Sequence, residues 1–117
     1  MVRRVSQVGA FVLASLVAAA PAMAVPSKTS VTVTAGKPSE FGFTFSKTSL
    51  VGGSVFFSVT NKGKLEHDFK IAGKKTVKLR PGKTTTLMVM LKPGKAAYLC
   101  TLPGHAAGGM KGTLTVK

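Results

Sequence analysis

Gly52-Gly53-Ser54-Val55-Phe56-Phe57-Ser58-Val59-Thr60-Asn61-Lys62-Gly63 is the stretch on which the reading of the fold turns. Val55, Phe57 and Val59 fall at every second position between a glycine pair and a turn of Asn, Lys and Gly. That is the period of a half-buried strand with one apolar face. The pattern recurs upstream, where Val31, Val33 and Ala35 alternate with Thr32 and Thr34, and Phe41, Phe43 and Phe45 with Gly42 and Thr44. Downstream, 67–71 reads as a short strand ended by Gly73, and 76–79 as another ended by Pro81-Gly82. Residues 84–91 form the cleanest β-former, closed by Pro93-Gly94, and 96–100 and 111–117 complete the set. No segment has a convincing helical period. Seven to eight short strands at regular spacing, punctuated by Gly and Pro, predict an all-β antiparallel sandwich or barrel. The alternating phenylalanines are expected in its core.

The N-terminus reads differently. Arg3 and Arg4 precede an apolar run over 8–20, which ends in Pro21-Ala22-Met23-Ala24. A basic head, a short apolar middle and an Ala-x-Ala boundary are the anatomy of a secretory signal peptide over 1–24. The alternative is an uncleaved anchor, although the run is shorter than the ~20 residues that cross a bilayer. The arginine pair matches a twin-arginine signal only weakly, so the export route stays open. Export implies a periplasmic or secreted location. The remaining 25–117 suffice for one domain with a single core.

The whole chain carries a formal charge of +14, and +12 remains without Arg3 and Arg4. Lysines such as Lys28, Lys47, Lys62, Lys74, Lys83 and Lys95 occur in nearly every turn. Nucleic acid is the usual partner of such a charge, but export, the absence of a basic helix and the lack of an aromatic-rich platform argue against it. An acidic redox protein or an anionic membrane surface suits it better. A single cysteine, Cys100, can make no internal disulfide, and a free exposed thiol would be a liability outside the cell. Either it is inert in the core or something occupies it.

Two histidines, that cysteine and one methionine in a loop-like setting are the candidate donors. Met88 and Met90 lie within an apolar strand, where core packing explains them. Cys100-Thr-Leu-Pro-Gly-His105-Ala-Ala-Gly-Gly-Met110 spaces three donors as Cys-x4-His-x4-Met, with Pro103-Gly104 and Gly108-Gly109 able to fold them toward one point. His67 supplies a fourth from a neighbouring strand. Two imidazoles, one thiolate and a weak axial thioether form the set that serves both Cu(II) and Cu(I) in blue-copper sites. Zinc is the rival metal, but a thioether offers it nothing.

These residues resemble the cupredoxins over nearly the whole segment after the leader. The strand and turn over 52–63, His67-Asp68-Phe69, and Tyr98-Leu99-Cys100 through Met110 carry the likeness, and the loop lengths are similar to the rusticyanin- and auracyanin-like branch. The resemblance implies a Greek-key sandwich and one copper ion held by His67, Cys100, His105 and Met110. It also implies that the residue after the upstream histidine ties the two ligand segments together through Thr101. That residue is commonly Asn, and here it is Asp68, whose charge beside the thiolate should favour Cu(II) unless the side chain simply turns to solvent.

The leading expectation is therefore an exported one-electron carrier, a monomer without catalytic residues. The runner-up is a copper chaperone or store with the same ligands. An enzyme with Cys100 as nucleophile and His105 as base lacks an evident orienting group and leaves Met110 without a role. His105 sits among Leu102, Pro103, Gly104, Ala106, Ala107, Gly108 and Gly109, an uncharged patch in a lysine-studded molecule where an acidic partner could dock.

Overall fold

The strand anticipated around Phe57 is β4, Gly53–Asn61, the longest among the described residues. The computed structural model describes residues 28–117, so the expected leader over 1–24 lies outside the described residues. Along β4, burial alternates, with Val55, Phe57 and Val59 fully enclosed. Its neighbours are β1, Thr29–Ala35, and β7, Thr84–Leu91, and β2, Phe43–Phe45, extends the sheet beyond β1 to the order β2-β1-β4-β7. Register brings like to like. Val31 and Val33 lie opposite Phe57 and Val59, and Val55 lies opposite Val89.

The second sheet contains β3, Ser49–Leu50; β9, Lys111–Val116; β8, Gly94–Leu99; β5, Lys70–Ile71; and β6, Lys74–Lys75, in that order. Leu50, Ile71, Leu114 and Val116 face the first sheet across one continuous core. Phe69 is its hub, with ring centroids 5.2 Å from Phe57, 5.4 Å from Phe43 and 5.9 Å from Phe45. Each such enclosed side chain contributes roughly 1.5–3 kcal/mol by leaving water.

The all-β sandwich is as expected, with two refinements. The β1–β4 and β3–β9 pairs run parallel, so both sheets are mixed. Alternation reports which face is buried and carries no information about strand direction. The strand expected over 67–71 is regular only at Lys70–Ile71, preceded by a single bridge between His67 and Leu79, which is all that forms within 76–79. His67, Asp68 and Phe69 are all buried. Three enclosed residues in a row do not fit a strand with one face open to solvent, which buries only alternate side chains.

Met88 and Met90 correct an expectation. Both are exposed, at 60% and 63%, while Val89 and Leu91 point inward. Residues 87–91 are apolar throughout, which conceals the parity, and β7 is an edge strand whose outer face is uncovered.

Candidate metal centre

Ala35 ends β1, Cys100 follows β8 and Met110 precedes β9, and these three residues form a small second buried cluster. The backbone N–H of Cys100 donates to the Met110 carbonyl at 3.0 Å, closing the base of the intervening loop. Within it, Gly108 N–H donates to Gly104 O and Met110 N–H to His105 O, both at 3.0 Å. Gly104 and Gly109 have φ of 81° and 115°, backbone that a side chain would strain. The loop is thereby wound tightly enough to return His105 over Cys100.

The arrangement gathers His67, Cys100 and His105, with one donor atom from each within 4.8 Å of the others. The two Nδ1 atoms are 3.2 Å apart, and Cys100 Sγ is 3.5 Å from His105 Nδ1. Donors bound at about 2.0–2.3 Å around one ion stand about 3.3–4 Å from each other, so this spacing fits a shared metal. Met110 is fully buried beside Cys100. The donor chemistry, N₂S with a neighbouring thioether, suits copper.

Environment sets the state of each donor. Burial pushes the Cys100 thiol up, and the Asp68 charge adds to that through space, so the thiol keeps its proton until a cation displaces it. Burial, then the neighbouring His67, lowers His105, which favours its neutral, ligating form. His67 is completely enclosed, whereas His105 is partly exposed, with Phe41 edge-on to its ring at a centroid distance of 4.9 Å.

Asp68 behaves as the resemblance implied. It is 2% exposed, and its carboxylate accepts the Thr101 N–H at 2.6 Å and the Thr101 hydroxyl, tying the two ligand segments together.

Two site residues escaped the sequence reading. Phe41, expected in the sandwich core, instead packs against Ala35, Cys100 and Met110. Glu40 accepts a hydrogen bond from His67 Nε2 at 2.7 Å. The backbone N–H groups of Lys64 and Leu65 also donate to Glu40 at 2.9–3.1 Å, and chiefly these hold its carboxyl down to about 2. An ionised carboxylate can only accept, so the bridging proton belongs to His67 Nε2, and Nδ1 is the ring atom left facing His105. The one signal for Glu40 was its rarity, as one of only three acidic residues in the chain.

Comparisons with known proteins agree with this geometry. The family profile described as copper binding proteins of the plastocyanin/azurin family matches residues 19–117. Rusticyanin from Thiobacillus ferrooxidans superposes with a TM-score of 0.65 at 26% identity, covering 77% of each chain. Auracyanin B gives 0.64 at 23% identity, over 79% of this chain and 90% of its own. Auracyanin A, a "blue" copper protein from Chloroflexus aurantiacus, gives 0.63 at 18% identity, over 78% of this chain and all of its own. The two auracyanins speak to the fold alone. No curated protein sequence matches the chain.

Proposed function

The chain belongs to the copper-binding plastocyanin/azurin family, and from that premise we propose that it is an exported one-electron carrier. In this reading His67, Cys100 and His105 would hold one copper ion, with the Met110 thioether as a weaker fourth donor. Copper supplies the Cu(II)/Cu(I) couple. The protein's own contribution is a donor set whose positions are held before the ion arrives. Loop hydrogen bonds hold His105, the Asp68–Thr101 link holds the segments carrying His67 and Cys100, and sandwich packing holds Met110. A preorganised set changes little between oxidation states, which is what rapid electron exchange requires.

The observation that carries the reading is the convergence of two imidazole nitrogens and the only thiol on one point. The partial exposure of His105 supports it, because that ring offers an exit for electrons while His67 is enclosed. Ala107, Pro103 and Gly104 are exposed around it and carry no charge. An acidic redox protein could approach there without desolvating charges, steered by the surrounding lysines.

The test is an absorption spectrum after addition of Cu(II). Wild type should develop intense thiolate-to-copper charge transfer toward the red end of the visible range. Cys100→Ala should not, yet it should keep the β circular-dichroism signal. A colourless wild type, or a coloured Cys100→Ala, refutes the reading.

Copper handling remains a second reading because Met88 and Met90 expose two thioethers on one face of β7. A Cu(I) titration separates the two. A carrier binds one equivalent, and a chaperone or store using those methionines binds a second that Met88→Leu with Met90→Leu removes.

A further inference from the structure

Two of the three carboxylates in a strongly basic chain lie directly behind the donor set. Asp68 spans Thr101, next to Cys100. Glu40 meets His67 at Nε2, and the surrounding backbone leaves little room there. A Cβ on Gly63 would come within 2.5 Å of Glu40 Oε1 and 2.9 Å of His67 Nε2. A Cβ on Gly36 would come within 2.5 Å of the Gly63 Cα. Two glycine backbones thus pass each other beside the point where carboxylate meets ring.

The turn that presents the carboxylate's donors is itself pinned. Asn61, fully buried, donates from Nδ2 to the carbonyls of Leu65 at 2.8 Å and Leu79 at 2.7 Å, and its Oδ1 accepts the Gly63 N–H at 2.8 Å. Lys64 and Leu65 then aim their N–H groups at Glu40. Asn61 therefore fixes the turn, the turn fixes Glu40, and Glu40 fixes the His67 ring.

We propose that Glu40 is a positioning and potential-setting residue of the copper centre, locking His67 in the Nε2–H tautomer and placing a fixed negative charge behind it that favours Cu(II). The proposal rests on the copper reading above but extends to a residue outside the ligand set. A carboxylate behind a ligating imidazole orients the ring and raises its basicity, and loss of such partners typically costs 10–100-fold in metal affinity. The charge also acts on the couple. Held behind the His67 ring by two backbone N–H groups, it would favour the doubly charged state over the singly charged one.

The experiment compares wild type with Glu40→Gln, Glu40→Ala and Gly63→Ala. In metal-free wild type, nitrogen-15 NMR should show His67 as the Nε2–H tautomer, with a slowly exchanging ring proton. This readout needs no copper. Glu40→Gln can still accept that proton, so tautomer and blue colour should persist. Loss of the charge should lower the preference for Cu(II) over Cu(I) about tenfold, an upward shift of ~59 mV for a one-electron couple. Glu40→Ala should lose the protected proton and bind Cu(II) 10–100-fold more weakly. Gly63→Ala keeps the charge but forces carboxylate and ring apart, so the protected proton should disappear there too. It also serves if removing Glu40 compromises folding. An Nδ1–H tautomer in the metal-free protein overturns the proposal, as does a Glu40→Gln couple within about twofold of wild type. A wild type that shows the protected proton but takes no copper sinks the copper reading and the potential-setting role, leaving only the tautomer lock.

Discussion

Replacing Asp68 by alanine removes a carboxylate that is 2% exposed and spans two ligand-bearing segments. Two hydrogen bonds from Thr101, one from its N–H and one from its hydroxyl, end on this carboxylate. A hydrogen bond to a charged group is worth about 1.5–3 kcal/mol. Thr101 lies at the surface, so its freed donors can find water and the lower figure applies. Two such bonds give a loss of about 3 kcal/mol, which in a domain of this size lowers Tm by about 12–24 °C. The assay is thermal unfolding of the metal-free protein by circular dichroism, since copper binding would add its own stabilisation. Asp68→Asn is the control. Its oxygen can accept the Thr101 N–H while its amide donates to the Thr101 hydroxyl, so stability should stay within about 1 kcal/mol of wild type. A loss below about 1 kcal/mol in Asp68→Ala would refute the reasoning, because the carboxylate would then not be carrying those bonds. An asparagine variant as unstable as the alanine one would refute it equally.

Met110→Leu should fold within about 1.5 kcal/mol of wild type, since the swap nearly conserves volume in a buried setting, and should keep copper with an altered potential; complete loss of copper would show that Met110 is an anchor. Ala107→Lys should leave the spectrum intact and slow electron exchange with an acidic partner in stopped-flow mixing at several ionic strengths; an unchanged rate removes the patch around His105 from the mechanism. The acid limb of stability should carry Glu40's mark. With its folded pKa lowered from 4.5 to about 2, mainly by the Lys64 and Leu65 N–H groups, its contribution is fully present above about pH 4.5 and is lost as pH falls through about 2. Urea midpoints of wild type should therefore fall more steeply over that window than those of Glu40→Gln, and parallel curves would count against the depressed pKa.

The division between what was legible in the chain and what was not follows from the range of each interaction. Alternation around Val31, Val33, Val55 and Phe57 is local, and it foretold the strands and their buried faces because a pleated strand sends neighbours to opposite sides. The donor set was legible for a related reason. A thiol, two imidazoles and a thioether are chemically scarce, and three of them are confined to one short loop whose spacing is itself local. Parity failed where alternation failed, in the uniformly apolar 87–91, and only the edge position of β7 decided that Met88 and Met90 face outward. Strand direction was likewise beyond the local pattern: an antiparallel sandwich was expected, and β1 lies parallel to β4. Glu40 stands 27 residues from His67, in a segment with no period and no motif. Its role came into being only when the Asn61 turn folded back and the Gly36 and Gly63 backbones closed on each other. Hydrogen bonds across such separations leave no periodic trace in a chain, because their geometry is set by the packing of the two segments and by neither segment alone.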